Sequence, residues 1–246
     1  MIRMLACWLL ICCAMAANAA ECVVLLHGLA RTAGSMVEMR DALEVEGYRV
    51  VNVDYPSRSQ PIEALAELAV DEGLAGCRAR EVAPVNFVTH SLGGILVRQY
   101  FKQHPQRLGV LKRVVMLGPP NQGSEVVDNL KDVPGFELIN GSAGLQLGTG
   151  EQDIPRQLGP VEFELGVIAG TRSINLILSS YLPNPDDGKV SVASTKVAGM
   201  CAFVALPVTH PFMMNNDRVI RQTLSFLQHG YFEDPRAVNQ GCPQLP

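Results

Sequence analysis

The chain is short of several things, and each shortage excludes a class of function. Positive charge is too scarce for a nucleic-acid footprint: 20 Lys and Arg against 24 Asp and Glu give a formal net charge of −4, whereas nucleic-acid binders gather basic residues on one face. The same deficit leaves no basic strip for an anionic membrane surface. No apolar run reaches the roughly 20 residues of a transmembrane helix. There is no C-x-x-C pair and no histidine-rich spacing, so the ligand pattern of a metal site is missing. Internal repeats, low-complexity tracts and breaks in composition are missing too, and the chain reads as one domain.

Residues 1–20 have the form of an export signal. Arg3 supplies the positive start, Leu5 to Ala16 the apolar stretch, and Ala17-Asn18-Ala19 a small-x-small cleavage site. Ile11 ahead of Cys12 does not fit a lipoprotein cleavage context, so a secreted or periplasmic product is expected. Residues 21–246 then form the mature domain, long enough to bury a sizeable core. Cys7, Cys12 and Cys13 leave with the signal, and Cys22, Cys77, Cys201 and Cys242 remain. An even count in an exported chain permits two disulfides, with three pairings open. Cys22–Cys77 and Cys201–Cys242 are the expected pairs, with buried free thiols as the alternative. The first would join the opening strand to a helix, and the second would tie down the tail.

The mature chain alternates two patterns. The apolar run at 21–26 reads as a strand covered on both faces, 113–118 as another buried strand, and 49–55, 85–90, 165–170 and 200–208 as further strands. Amphipathic stretches between them read as helices. One runs over 35–47 with Met36, Met39, Leu43 and Val45 inward; another opens at Pro61 and carries Ile62, Leu65, Ala66, Leu68 and Ala69; the last covers 216–228. Such alternation predicts an α/β fold, a mostly parallel sheet with helices on both faces. The glycine-rich stretch 141–159 reads as a small cap or loop insertion near the mouth of a site. Residues after Gly230 read as a tail.

The most informative stretch is Val85 to Gly94. An apolar β-branched run stops at Thr89-His90-Ser91-Leu92-Gly93-Gly94, and a helical pattern follows. Strand, sharp turn and helix is the setting that holds a serine nucleophile above a sheet; an N-cap serine is the alternative. A serine hydroxyl needs a base, and the base needs an acid to fix its tautomer. His210 follows the last predicted strand and Asp187 lies in an acidic turn before it, giving the order Ser91, Asp187, His210. Those positions fall at the C-terminal ends of strands, where open α/β sheets place their sites. Asp186 and Asp54 remain open as rival acids. His27, His90, His104 and His229 are less favourably placed as bases, and His27 is expected to brace its loop. The backbone amides of Leu29 and Leu92 are the candidates for holding an oxyanion, with Gly28 allowing the first loop to come close.

With His27-Gly28, Thr89-His90-Ser91-Leu92-Gly93-Gly94, Asp187-Gly188 and Thr209-His210 in this order, the chain resembles the α/β-hydrolase superfamily over nearly all of its mature length. Gly118-Pro119-Pro120-Asn121-Gln122-Gly123-Ser124 is similar to a loop of bacterial lipases and carboxylesterases. The resemblance implies an α/β-hydrolase fold, Ser91 as nucleophile, Asp187 as acid, His210 as base, the Leu29 and Leu92 amides as oxyanion hole, and no metal or organic cofactor. The implied substrate is a small-molecule or lipid ester, its acyl chain set against residues such as Leu29, Leu145, Leu147 and Phe212. Thr89 departs from the usual glycine, and the region before Asp187 is short for a large lid, which favours small or medium acyl esters. The alternatives are an amidase, peptidase or thioesterase with the same triad, and a catalytically silent binding module.

Overall fold

A computed structural model describes residues 21–80 and 84–242; the expected export signal lies outside them. Six parallel strands form the sheet: β1 (Cys22–Leu26), β2 (Arg49–Val53), β3 (Val85–His90), β4 (Leu111–Leu117), β5 (Leu165–Gly170) and β6 (Ala202–Leu206). The order is β2-β1-β3-β4-β5-β6, and a short β7 (Val238–Asn239) adds antiparallel to the β6 edge. The helices are α1 (Val37–Val45), α2 (Ile62–Arg78), α3 (Leu92–Gln103), α4 (Glu125–Leu130), α5 (Phe136–Leu145), α6 (Ile154–Gln157), α7 (Leu176–Ser179) and α8 (Asp217–His229).

The period-2 alternation of β1 divides the core into two layers. Cys22, Val24 and Leu26 face Leu65, Ala69, Ile95 and Leu96 of α2 and α3. Val23 and Leu25 face the other layer, with Met39 and Leu43 of α1 and Val219 and Phe226 of α8. All five β1 residues are fully buried, which is why the strand reads as an unbroken apolar run. Each such side chain contributes roughly 1.5–3 kcal/mol on burial.

Both expected disulfides are present, Cys22–Cys77 and Cys201–Cys242. They close loops of 55 and 41 residues, for which loop-closure entropy gives about 4 kcal/mol each. Among the described residues no helix is long and apolar enough to cross a membrane.

Several boundaries differ from the sequence pattern. Val45 is 84% exposed and Leu68 41% exposed; each falls off the helical stripe set by its buried neighbours. Residues 136–145 form a helix interrupted at Gly141, where φ is 67°, so the glycine-rich stretch is partly helical. The tail supplies β7, whose side chains are exposed. Its pairing rests on backbone hydrogen bonds, Gln240 N–H donating to Cys201 O at 2.8 Å among them, so no apolar pattern announces it.

Candidate active site

The site is built where β3 gives way to α3. Ser91 lies between them with φ 52° and ψ −118°, a positive-φ conformation costly for any residue with a Cβ. Its N–H donates to Leu117 O at 2.9 Å, which ties the turn to the end of β4. Its side chain caps no helix N–H, so the N-cap alternative does not account for the serine. The turn presses on the end of β1: a Cβ on Gly93 would come 2.7 Å from Leu26 O. Thr89 fits two residues before the serine, fully buried within β3, although its hydroxyl finds no hydrogen-bond partner among the described residues.

Asp187 and His210 meet beside this turn. His210 Nδ1 donates to Asp187 Oδ2 at 2.7 Å, and His210 N–H donates to Asp187 O at 3.0 Å. The other carboxylate oxygen accepts the N–H groups of Lys189 and Val190 at 3.0 and 2.8 Å. The carboxylate is thus buried and met by three donors, as a buried acid requires. The rival acids are engaged elsewhere. Asp186 accepts from Ser179 Oγ and Gly188 N–H, and Asp54 accepts Ala33 N–H while lying 3.6 Å from His27 Nε2.

His27 is fully buried and stacked on Tyr55 at 4.1 Å, with Tyr55 N–H donating to its Nε2 and the Tyr55 hydroxyl to its carbonyl. Burial holds its pKa below the ordinary value, against weaker opposing effects of Gly28, Asp54 and Tyr55. It braces the β1 loop, as expected. That loop comes very close to the serine: a Cβ on Gly28 would lie 2.7 Å from His90 Nδ1 and 3.2 Å from Ser91 Cβ. Leu29 follows, and its amide donates to no acceptor among the described residues. Leu92 opens α3, where first-turn amides have no intrahelical partner.

Ser91, Asp187 and His210 line one cavity of about 620 Å³. Its apolar wall comes from Leu29, Val126, Val127, Phe136, Ile139 and Leu147, with Ile174, Leu178 and Val190 nearby. Leu29 and Leu147 therefore take the expected place, whereas Leu145 and Phe212 do not line the cavity. Phe212 instead stands 58% exposed, because the turn after His210 directs it outward.

Sequence reasoning passed over His90. This imidazole is buried, 4.7 Å from the His210 ring, and its Nε2 is 3.0 Å from His210 O. Its Nδ1 has no partner among the described residues, so Nε2 carries the proton and donates it to that carbonyl. Burial first, then the charges of His210 and Arg31, hold its pKa well below the ordinary value. Strand alternation was the available signal: Val88 and His90 share the face on which Met213 and Met214 pack. Arg31 and Lys189 were also passed over, and both line the cavity. Each stands two residues beyond a position already singled out.

The model of the alpha/beta hydrolase family matches residues 23–236. Among curated proteins a search finds no match. Among solved structures, the mature form of the Bacillus licheniformis lipase BlEst2 superposes with a TM-score of 0.64 at 18% identity, covering 86% of this chain and 91% of that one. The metagenomic carboxyl esterase MGS0156 gives 0.59 at 18% identity, over 78% of this chain and 65% of that one. Aspergillus fumigatus lipase B gives 0.64 at 16% identity, over 89% and 55%.

Proposed function

The chain belongs to the alpha/beta hydrolase family, and on that premise we propose that it is an exported serine hydrolase that cleaves carboxylic esters. The observation that carries this reading is the 2.7 Å bond from His210 Nδ1 to buried Asp187, in the same cavity as a serine held at φ 52°. Asp187 fixes the imidazole with its proton on Nδ1, which leaves Nε2 free to take the Ser91 hydroxyl proton. Ser91 Oγ attacks the ester carbonyl, and the amides of Leu29 and Leu92 hold the oxyanion. Imidazolium then protonates the leaving alkoxide, giving the alcohol and an acyl-Ser91. Water, deprotonated by His210, attacks that acyl group, and its collapse releases the acid and restores the serine. The apolar wall supports an acyl chain as the bound group, and the lipases and esterase among the structural neighbours accord with an ester. Export is supported by the two disulfides, which persist in oxidising compartments.

The test is labelling by a fluorophosphonate and hydrolysis of p-nitrophenyl esters of graded chain length. Wild type is expected to label at Ser91 and to turn over the esters. Ser91→Ala should lose labelling and about 10⁴-fold or more of kcat, while Asp187→Asn should retain the fold and lose about 10⁴-fold through the wrong imidazole tautomer. Faster turnover of matched anilides or thioesters would reassign the substrate, and an unlabelled wild type would remove the reading.

A further inference from the structure

Two cations, half-buried Arg31 and exposed Lys189, reach the cavity from the loops that follow β1 and Asp187. Arg31 and Lys189 both line it, and neither makes an ion pair within 4.0 Å among the described residues. The carboxylates around them keep their charge, but each is hydrogen-bonded to other groups. Asp187 is bonded to His210 and to two amides, Asp186 to Ser179 and Gly188, and Asp54 to the Ala33 amide. Lys189 is fixed in place at its backbone, its N–H on Asp187 Oδ1 at 3.0 Å and its carbonyl accepting Ser124 Oγ at 2.7 Å. Burial lowers the Lys189 pKa, the Asp187 charge opposes this, and Arg31 adds a smaller lowering. The cavity thus sets two cations against the one Asp187 carboxylate, in a chain whose formal net charge is −4.

Resting on the esterase reading above, we propose that Arg31 and Lys189 form an anion subsite in this cavity, so that the preferred ester carries a carboxylate or phosphate close to its scissile carbonyl. The apolar wall takes the acyl methylenes, while the cations take the charged group, and a neutral ester uses only the first. Charge-assisted hydrogen bonds from a guanidinium and an ammonium are the strong class of such contacts.

The experiment compares matched pairs: p-nitrophenyl butyrate with mono-p-nitrophenyl succinate for the carboxylate, and a monoacylglycerol with its 3-phosphate for the phosphate. In wild type, at least one anionic member should exceed its neutral match by about tenfold in kcat/KM, chiefly through KM. That ratio should fall towards one in an Arg31→Gln, Lys189→Gln double variant, and added salt should erode it. Preference for only one pair identifies which anion the subsite takes. A second measurement needs no variant: inorganic phosphate or succinate should slow fluorophosphonate labelling of wild-type Ser91, relative to chloride at equal ionic strength. No anionic preference together with no protection, or a ratio that survives the double substitution, overturns the subsite while leaving labelling and neutral-ester turnover to support the esterase reading. Absence of both labelling and turnover would remove both.

Discussion

At Gly118 the chain leaves β4 with φ 54°, and a Cβ there would stand 3.0 Å from Asp187 Oδ2 and 3.1 Å from His210 Nδ1. Alanine at this position would push on the bond that orients the imidazole and would also be strained by about 1–2 kcal/mol in the left-handed region. Gly118→Ala is expected to lower kcat about 100-fold, as small misplacements of catalytic groups do, with a cooperative melt retained; unchanged kcat would refute this. His90 and His27 lead to a pH prediction. Both have folded-state pKa values below the ordinary 6.5, so below about pH 6.5 the unfolded chain binds protons that the folded one refuses. Their contribution is complete above that pH and is lost as pH falls from there towards the depressed folded values. Melting temperature should therefore drop between pH 7 and 5, and the drop should be shallower in His90→Gln. An equal slope in the two proteins would count against it. His90 was hard to foresee as a brace, because its role depends on a carbonyl 120 positions away.

Among the elements, α3 does two things: its start holds the serine turn, and its middle carries a buried arginine. Arg98 has no carboxylate partner among the described residues. Its guanidinium donates to Asn121 O at 2.9 Å, Asn121 Oδ1 at 3.1 Å, Pro155 O at 3.4 Å and Gly159 O at 2.7 Å. Burial lowers its pKa to about 10. Asn121 in turn donates to Thr195 O at 2.8 Å, so one side chain links α3, the β4 loop and the segment that follows the acid. Arg98→Met should cost on the order of 3 kcal/mol, by leaving buried carbonyls unpaired. Chemical denaturation would measure it, and a loss under about 0.5 kcal/mol, the range of surface substitutions, would show that the links are dispensable. Strands β1 and β5 were legible because burial on both faces writes a continuous apolar run, and α2 and α8 because their stripes are long. Short α6 and α7, each four residues, leave too little sequence for a period to show. Ser91, Asp187 and His210, which line one cavity, could be picked out from chain order and turn chemistry, whereas the cations at Arg31 and Lys189 could not. Their meaning depends on which carboxylates are already bonded, and that is a property of the folded surroundings.

For the molecule as a whole, the sheet ends differently on its two sides. β2 lies at one edge with Arg49 exposed. At the other, among the described residues, β6 is covered only by the two residues of β7, and the Cys201–Cys242 bridge holds that segment beside it. Reducing the bridge, or replacing Cys242 with Ser, should lower stability by about 4 kcal/mol or less, read as a fall in melting temperature. The same change frees the backbone donors and acceptors of β6, which then offer a template to any extended peptide. What looks like a loose end of chain thus acts as a stopper against self-association: with the bridge cut, turbidity should rise with protein concentration well below the melting point, and shelf life would be governed by the redox state of the buffer.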